Sequence, residues 1–127
     1  MTLKYSFKLF PRLSGGWNGK LVPSLMIEDN ESYGPFFGAE LNNLRLSYLQ
    51  DQIVPSLEKV LDGSLDEFSF GYEVYDFNCD KQTCKVINYV EENRLEAEIP
   101  VKAIYSMLKE WTEFVRKWRE QEGLPPD

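Results

Sequence analysis

The chain has 127 residues, of which 43% are hydrophobic and 14% aromatic, and this composition is typical of a folded globular protein rather than a disordered one. It carries 21 acidic and 14 basic residues and no histidine, for a net charge of −7. This charge disfavours direct binding to nucleic acid, because the phosphate backbone requires clustered lysine and arginine. The length suits a single domain, which we expect to span residues 1–127.

The N-terminal stretch MTLKYSFKLFPRLSGGW has no continuous apolar region followed by a small-residue cleavage site, so it does not resemble a secretory signal. No segment of the sequence approaches the roughly 20 apolar residues that span a bilayer. We therefore expect a cytoplasmic protein that does not associate with a membrane.

The chain begins with two predicted strands. Residues 3–10 alternate apolar and polar side chains, which is the pattern of a half-buried strand, and Pro11 ends it. Residues 20–28 form the second predicted strand. Pro23 lies within it and cannot donate a hydrogen bond to a neighbouring strand, so this strand is expected at a sheet edge or at a bulge.

The next segment predicts a short strand followed by a helix. Residues 41–46 are ambiguous between strand and helix, and we favour a strand. Ser47 is the predicted N-cap of a helix that runs to about Leu61, with its apolar residues on one stripe. Pro55 lies inside this helix and should kink it or divide it in two.

The second half of the chain predicts three strands and a long helix. Residues 67–77 are predicted as one long strand, and the stretch after NCDKQTC is its hairpin partner. Residues 94–99 alternate again and predict a further strand. The last predicted helix covers about residues 101–121 and has an apolar stripe. The resulting fold class is α+β, in the order βββα-βββα. We expect a largely antiparallel sheet of about six strands with two amphipathic helices on one face.

The two cysteines, Cys79 and Cys84, lie in the stretch NCDKQTCK, which predicts a hairpin tip. A zinc site needs further soft ligands that the chain lacks, and a redox C-x-x-C motif is absent. A turn centred on Lys81 and Gln82 places the two thiols opposite each other, so a disulfide is geometrically feasible. In a reducing cytosol we expect free thiols, and we expect their replacement by serine to change stability little because the turn is exposed.

The sequence also excludes several kinds of catalysis. Without histidine, no Ser-His-Asp or Cys-His arrangement can form, and the SGGWNG loop lacks the lysine of a phosphate-binding loop. Carboxylates cluster at Glu28, Asp29 and Glu31 and again at Glu73 and Asp76, which leaves calcium binding or acid–base chemistry open, but no complete calcium loop is present. We predict that the protein is not an enzyme and has no catalytic, cofactor-binding or metal-binding residues.

Acidic residues are concentrated in the middle of the chain. Residues 21–80 hold twelve acidic residues against Arg45 and Lys59, for a net charge of −10. Such a segment is either a solvated face or a patch that steers a basic partner, and aromatic residues in its loops are either packed inside or anchors of an interface. Our hypothesis for the partner-binding residues is the set Glu28, Asp29, Glu31, Tyr33, Trp17 and Phe36.

A small acidic α+β protein without catalytic residues resembles the immunity proteins that bacteria encode beside secreted or contact-delivered toxins. The resemblance lies in the strands LKYSFKLF and KLVPSLMIE, the segment LRLSYLQDQIVPSLEKVLDGS, the long hairpin and the terminal helix. It implies a protein that neutralises a cognate toxin, often a basic nuclease, by tight binding through an acidic surface. The alternative is a small structural or regulatory interaction module that self-associates through its proline-containing edge strand.

Overall fold

The computed structural model describes residues 3–11 and 20–125. Within these residues the chain forms six strands in two antiparallel sheets, together with helices. The strands are β1 (Tyr5–Pro11), β2 (Leu21–Ile27), β3 (Glu67–Gly71), β4 (Tyr75–Asp80), β5 (Thr83–Asn88) and β6 (Arg94–Pro100). The helices are α1 (Phe37–Asn42), α2 (Leu46–Tyr48), α3 (Val54–Asp62) and α4 (Val101–Gln121), with a 3₁₀ turn at Asn30–Tyr33 and a π-helical turn at Leu49–Ile53.

Strands β1 and β2 form a two-stranded ribbon, in which Tyr5 pairs with Ile27 and Pro11 with Leu21. The prediction of both strands is confirmed. In a two-stranded sheet each strand is an edge, which suits a strand that contains proline. The outer edge of β2 is partly closed by Asn42, whose side-chain amide accepts a hydrogen bond from the N–H of Leu25 (2.8 Å) and donates one to its carbonyl (2.9 Å).

The second sheet is a four-stranded meander in the order β3-β4-β5-β6. Alternate side chains of its central strands are buried, as period-two side-chain geometry requires. Helix α3 contacts β3 and β4, whereas α4 contacts β5, β6 and the ribbon. One cluster of buried residues links both sheets and the helices, and its fully buried members include Phe37, Leu49, Ile53, Leu57, Phe77, Ile104, Met107 and Leu108. Burial of each such side chain contributes about 1.5–3 kcal/mol.

Two predictions of secondary structure are wrong. Residues 41–46 are not a strand, because the chain is helical in α1, turns, and becomes helical again in α2. Residues 67–77 are not one strand, because a turn at 72–74 divides them into β3 and β4. The order is therefore two strands, a helical segment, four strands and a helix. The six strands form two sheets instead of one.

The predicted helices are confirmed in position, with corrections at the first. Arg45 is the N-cap of its α2 segment, and no side chain caps it, so the cap predicted at Ser47 is wrong. The helix is not divided at Pro55, because the backbone stays helical from Leu46 to Asp62, but a π-helical turn at Leu49–Ile53 precedes α3 and Pro55 lies in the first turn of α3. A proline has no N–H to continue the preceding helical hydrogen bonds. Gly63 ends α3 with a positive φ of 89°.

Candidate protein-interaction surface

Two turns of the four-stranded sheet lie at the same end of the molecule. In an antiparallel meander alternate turns share an end, so the turn at 72–74, between β3 and β4, adjoins the turn at 89–93, between β5 and β6. The N–H of Tyr89 donates a hydrogen bond of 3.2 Å to the carbonyl of Val74, which joins the two turns directly. The Lys81–Gln82 turn lies at the opposite end.

The loop at 28–36 reaches the same end of the sheet. The N–H of Phe36 donates a hydrogen bond of 3.0 Å to the hydroxyl of Tyr75, at the start of β4, and the two rings lie 6.4 Å apart. Gly34 adopts a φ of 105° and lies directly against the same hydroxyl, where a β-carbon would not fit. We call the loop 28–36 and the turns 72–74 and 89–93 together the three-turn surface.

A buried carboxylate holds one of these turns in place. Glu40 of α1 is only 3% exposed, and its carboxylate accepts hydrogen bonds from the backbone N–H groups of Tyr72 (3.0 Å), Glu73 (3.0 Å) and Val74 (2.6 Å). A buried charge is tolerated only when it is paired or hydrogen-bonded, and three N–H donors supply that compensation. This residue was not predicted from the sequence. Its only signal is a single acid within the apolar run FFGAEL.

The three-turn surface combines exposed apolar side chains with acidic ones. Its large hydrophobic residues are between 48 and 63% exposed, and they are Phe36, Tyr72, Tyr89 and Val90. Its exposed acids are Glu28, Asp29, Glu31, Glu73, Glu91 and Glu92. None of the three segments contains a lysine or an arginine. The three segments therefore carry only negative charge and have several side chains able to pack against a partner.

The basic residue that follows directly, Arg94, is engaged locally. Its guanidinium forms an ion pair with Glu96 at 2.8 Å. This contact lowers the pKa of the Glu96 carboxyl, chiefly through the hydrogen bond from Arg94. Arg94 therefore balances the carboxylate of its neighbour on β6 and offsets little of the charge on the three-turn surface.

The residues that we predicted to bind a partner do not all lie exposed on this surface. Glu28, Glu31 and Phe36 are exposed on the three-turn surface. Tyr33 is buried and stacks on Phe37 with ring centroids 4.9 Å apart, so it supports the loop from below. Trp17 lies outside the described residues.

Asp29 is exposed but also shapes its own loop. It adopts a left-handed φ of 55°, which is uncommon for a residue other than glycine. Its carboxylate accepts a hydrogen bond of 2.6 Å from the hydroxyl of Ser32, and its carbonyl accepts one of 3.0 Å from the Ser32 N–H. A substitution of Asp29 would therefore alter both the charge and the path of the loop.

The predicted hairpin of the two cysteines is found. Cys79 pairs with Cys84 across β4 and β5, and both thiols are free. They are 1% and 0% exposed, respectively, because alternation along each strand turns both side chains into the core. The exposed turn is therefore no reason to expect a small effect of their replacement. The hydrogen bond with Cys79, together with burial, raises the pKa of the Cys84 thiol well above its ordinary value.

Comparison of the chain with protein-family models, with curated proteins and with solved structures found no match. Among the helices in the described ranges, none combines the length and the apolar character that crossing a bilayer demands. Within the same residues no three potential metal-binding side chains among Cys, Asp and Glu lie together. The absence of catalytic, cofactor and metal sites stays a prediction. The case for a function therefore depends on the surface of this chain alone.

Proposed function

We propose that this chain is a binding protein that neutralises a basic protein partner by covering it with the three-turn surface. The observation that carries the proposal is the combination of six exposed acids, no base and four exposed large apolar side chains on adjoining turns. Charged groups of one sign speed the encounter with an oppositely charged partner. Aromatic side chains then provide the desolvated contacts that dominate binding energy.

The way in which the surface is held supports this proposal. Its turns are fixed by the carboxylate of Glu40, by the hydroxyl of Tyr75 and by the hydrogen bond between Tyr89 and Val74. Ordering a loop during binding costs free energy, so a surface fixed beforehand retains more of its contact energy. A tight inhibitor benefits from such a surface more than a transient adaptor does.

The particular form of this proposal is an immunity protein, and it rests on the resemblance in architecture. In this form the partner is a cognate toxin domain, basic and often a nuclease, and the chain itself performs no catalysis. An acidic, aromatic surface would mimic the charge of the toxin's substrate and exclude it from the toxin's active site. The partner-binding residues would be Phe36, Tyr72 and Tyr89 as anchors and Glu28, Glu31 and Glu73 as charges.

The test uses a purified C-terminal domain, taken from the protein whose gene lies directly upstream of the gene for this chain. The surface variant replaces Glu28, Glu31 and Glu73 with lysine and leaves Asp29 intact because of its role in the loop. The matched control replaces Asp51, Asp66 and Glu67 with lysine. These three acids are exposed, lie outside the three-turn surface and give the same change in net charge.

We expect the surface variant to associate at least tenfold more slowly than wild type, and the control to differ less than threefold, since steering depends on local charge. Added salt should slow the association of wild type more than it speeds dissociation. Cells that express the toxin should be protected by wild type and control but not by the surface variant. If the two triple variants behave alike, or the upstream domain is not bound, this function is wrong.

A second candidate is a self-associating interaction module, and the ribbon favours it. Leu9, Phe10, Leu21 and Met26 are exposed on β1 and β2, and both strands are sheet edges. Exposed apolar edge strands pair readily with other strands. Sedimentation velocity tests this: replacing Leu9 and Leu21 with glutamate should convert a dimer to a monomer. A wild-type protein that is monomeric at high concentration excludes the candidate.

A further inference from the structure

A cleft of about 240 Å³ lies between β2, the segment that joins α1 to α2, and the C-terminal half of α4. It shares no residue with the three-turn surface. The accessible lining is mainly polar, and its aliphatic side chains are Val22, Pro23, Leu44, Leu46 and Val115. Two arginines, Arg45 and Arg119, also line it, and no acidic residue does so among the described residues. In a chain of net charge −7 this is a local concentration of positive charge.

Neither arginine is neutralised by a carboxylate within the described residues. Arg119 donates a hydrogen bond of 2.7 Å from its Nε to the carbonyl of Pro125, which fixes the guanidinium beside the cleft. By contrast Arg116, three residues earlier on the same helix, lies within 3.6 Å of Glu113 and within 3.3 Å of Glu120. The cleft therefore borders two guanidinium groups whose charge is left for another group to balance.

A buried hydrogen-bond donor without an acceptor borders the same cleft. Trp111 is 3% exposed, and its indole N–H has no hydrogen-bond partner. Its ring lies 5.5 Å from the ring of Phe7 and 6.0 Å from that of Phe114, so aromatic packing fixes its position. The indole nitrogen itself is covered, so Trp111 is a fixed part of the cleft wall beside the two arginines.

We infer that this cleft binds a carboxylate carried on a small apolar body. The carboxylate would accept hydrogen bonds from the guanidinium groups of Arg45 and Arg119, which suit bidentate contacts. The apolar body would pack against the aliphatic walls. At the ~30 Å³ that one water occupies in the liquid, the volume of about 240 Å³ holds about eight non-hydrogen atoms. A free aromatic acid and the C-terminal residue of a peptide share this chemistry.

The test follows the three indole N–H resonances of ¹⁵N-labelled protein while benzoate is added at constant ionic strength. The Trp111→Phe variant assigns the resonance of Trp111, and benzamide is the neutral control of the same shape. We expect a saturable shift of the Trp111 resonance with benzoate and at least tenfold weaker binding of benzamide, because only the carboxylate forms charge-assisted hydrogen bonds.

Arginine variants locate the contacts. Arg45→Ala and Arg119→Ala should each weaken benzoate at least fivefold, and Arg119→Lys less than Arg119→Ala, since lysine retains the charge but not the bidentate geometry. Arg116→Ala is the matched control and should bind as wild type does. An unmoved Trp111 resonance, equal binding of benzoate and benzamide, or unchanged binding by both Arg45→Ala and Arg119→Ala would each overturn the inference.

A pair of peptides separates the two sources of the carboxylate. The first is a blocked dipeptide that ends in leucine with a free carboxylate, and the second is its C-terminal amide. Tighter binding of the free peptide than of benzoate assigns the cleft to protein C-termini, and the reverse assigns it to small acids. Either order supports a carboxylate site. Equal binding of the free peptide and its amide contradicts one.

Discussion

The carboxylate of Glu40 accepts a hydrogen bond of 2.6 Å from the backbone N–H of Val74, 34 residues further along the chain. This contact, with those to Tyr72 and Glu73, connects the first helix to a turn of the four-stranded sheet. It accepts hydrogen bonds from backbone N–H groups that in a continuous strand would be available to a neighbouring strand. A stretch that reads as one long strand is thereby divided into β3 and β4, and the turn between them becomes part of the three-turn surface.

Replacement of Glu40 by alanine should destabilise the protein by about 2 kcal/mol, because three backbone donors lose their acceptor. Glu40→Gln should cost less, since one side-chain oxygen remains. The measurement is urea unfolding at neutral pH. Glu73→Ala is the control: this carboxylate is exposed on the same turn and should change stability by less than about 0.5 kcal/mol. Equal losses for the Glu40 and Glu73 variants would show that the buried carboxylate does not hold the turn.

Replacement of both cysteines by serine should destabilise the protein by roughly 2 kcal/mol, because two hydroxyl groups would enter an apolar core. This reverses the expectation from sequence, which was that thiols near an exposed turn contribute little to stability. Replacement of both by alanine is the comparison, since it removes the sulfur atoms and adds no polar group. A serine variant as stable as wild type in reducing buffer would contradict the burial.

Alkylation of the thiols provides a second test of the cysteine pair. Burial and the raised pKa of Cys84 both keep the reactive thiolate scarce. Native protein should therefore react slowly with iodoacetamide, and urea-unfolded protein should react fast. Intact-mass measurement at successive times follows both reactions. Fast modification of the native protein would show that the hairpin opens readily.

Asp80 should make the stability of the protein depend on acid pH. Its carboxylate accepts hydrogen bonds of 2.8 Å from the N–H groups of Thr83 and Gln82, which lower its pKa below the ordinary value of 3.8. A lowered pKa in the folded state means that the contribution is present above the unfolded pKa and is lost as pH falls through the folded one.

The expected result is that Asp80→Asn lowers the urea midpoint at neutral pH and that its difference from wild type shrinks below about pH 4. Asp66→Asn supplies the control for the loss of one negative charge at the same end of the sheet. If the difference between Asp80→Asn and wild type is the same at neutral and acid pH, the turn does not favour the ionised carboxylate.

The sequence predicts those elements whose pattern is decided locally. The ribbon strands, the cysteine hairpin, β6 and α4 all have clear periodicity, and all are found where they are expected. Residues 41–46 are different, because their apolar run is short and fits either a strand or a helix. The helical choice is made by tertiary contacts, among them the bonds from Asn42 to Leu25 and from Glu40 to the turn at 72–74.

The candidate surface could be predicted only in part for the same reason. Glu28, Glu31 and Phe36 follow from charge and from their position in a loop. Tyr33 shows the limit of such reasoning, since a loop aromatic is as able to pack inward on Phe37 as to face solvent. Tyr72 and Tyr89 join the surface only because the meander brings their turns together, which depends on strand order and not on local pattern.

Replacement of Gly34 by alanine should disturb the three-turn surface most directly. A φ of 105° is strained for any residue with a β-carbon, and here the added carbon also meets the hydroxyl of Tyr75. We expect a loss of about 2 kcal/mol or more in the free energy of unfolding. Gly123→Ala is the matched control, because Gly123 has a φ of 68° but open space around it, and should cost about 1 kcal/mol.

Two measurements distinguish the steric clash of the new β-carbon with Tyr75 from the backbone strain at residue 34. Hydrogen exchange of the Phe36 amide should become faster in Gly34→Ala and stay unchanged in Gly123→Ala, because displacement of Tyr75 removes the acceptor of that amide. In a double-mutant cycle, Tyr75→Phe removes the hydroxyl with which the new carbon collides. The Gly34→Ala, Tyr75→Phe protein should therefore be more stable than the sum of the single losses predicts. Strict additivity would mean that the strain at φ alone causes the loss, and that Tyr75 does not set the shape of the loop that carries Phe36.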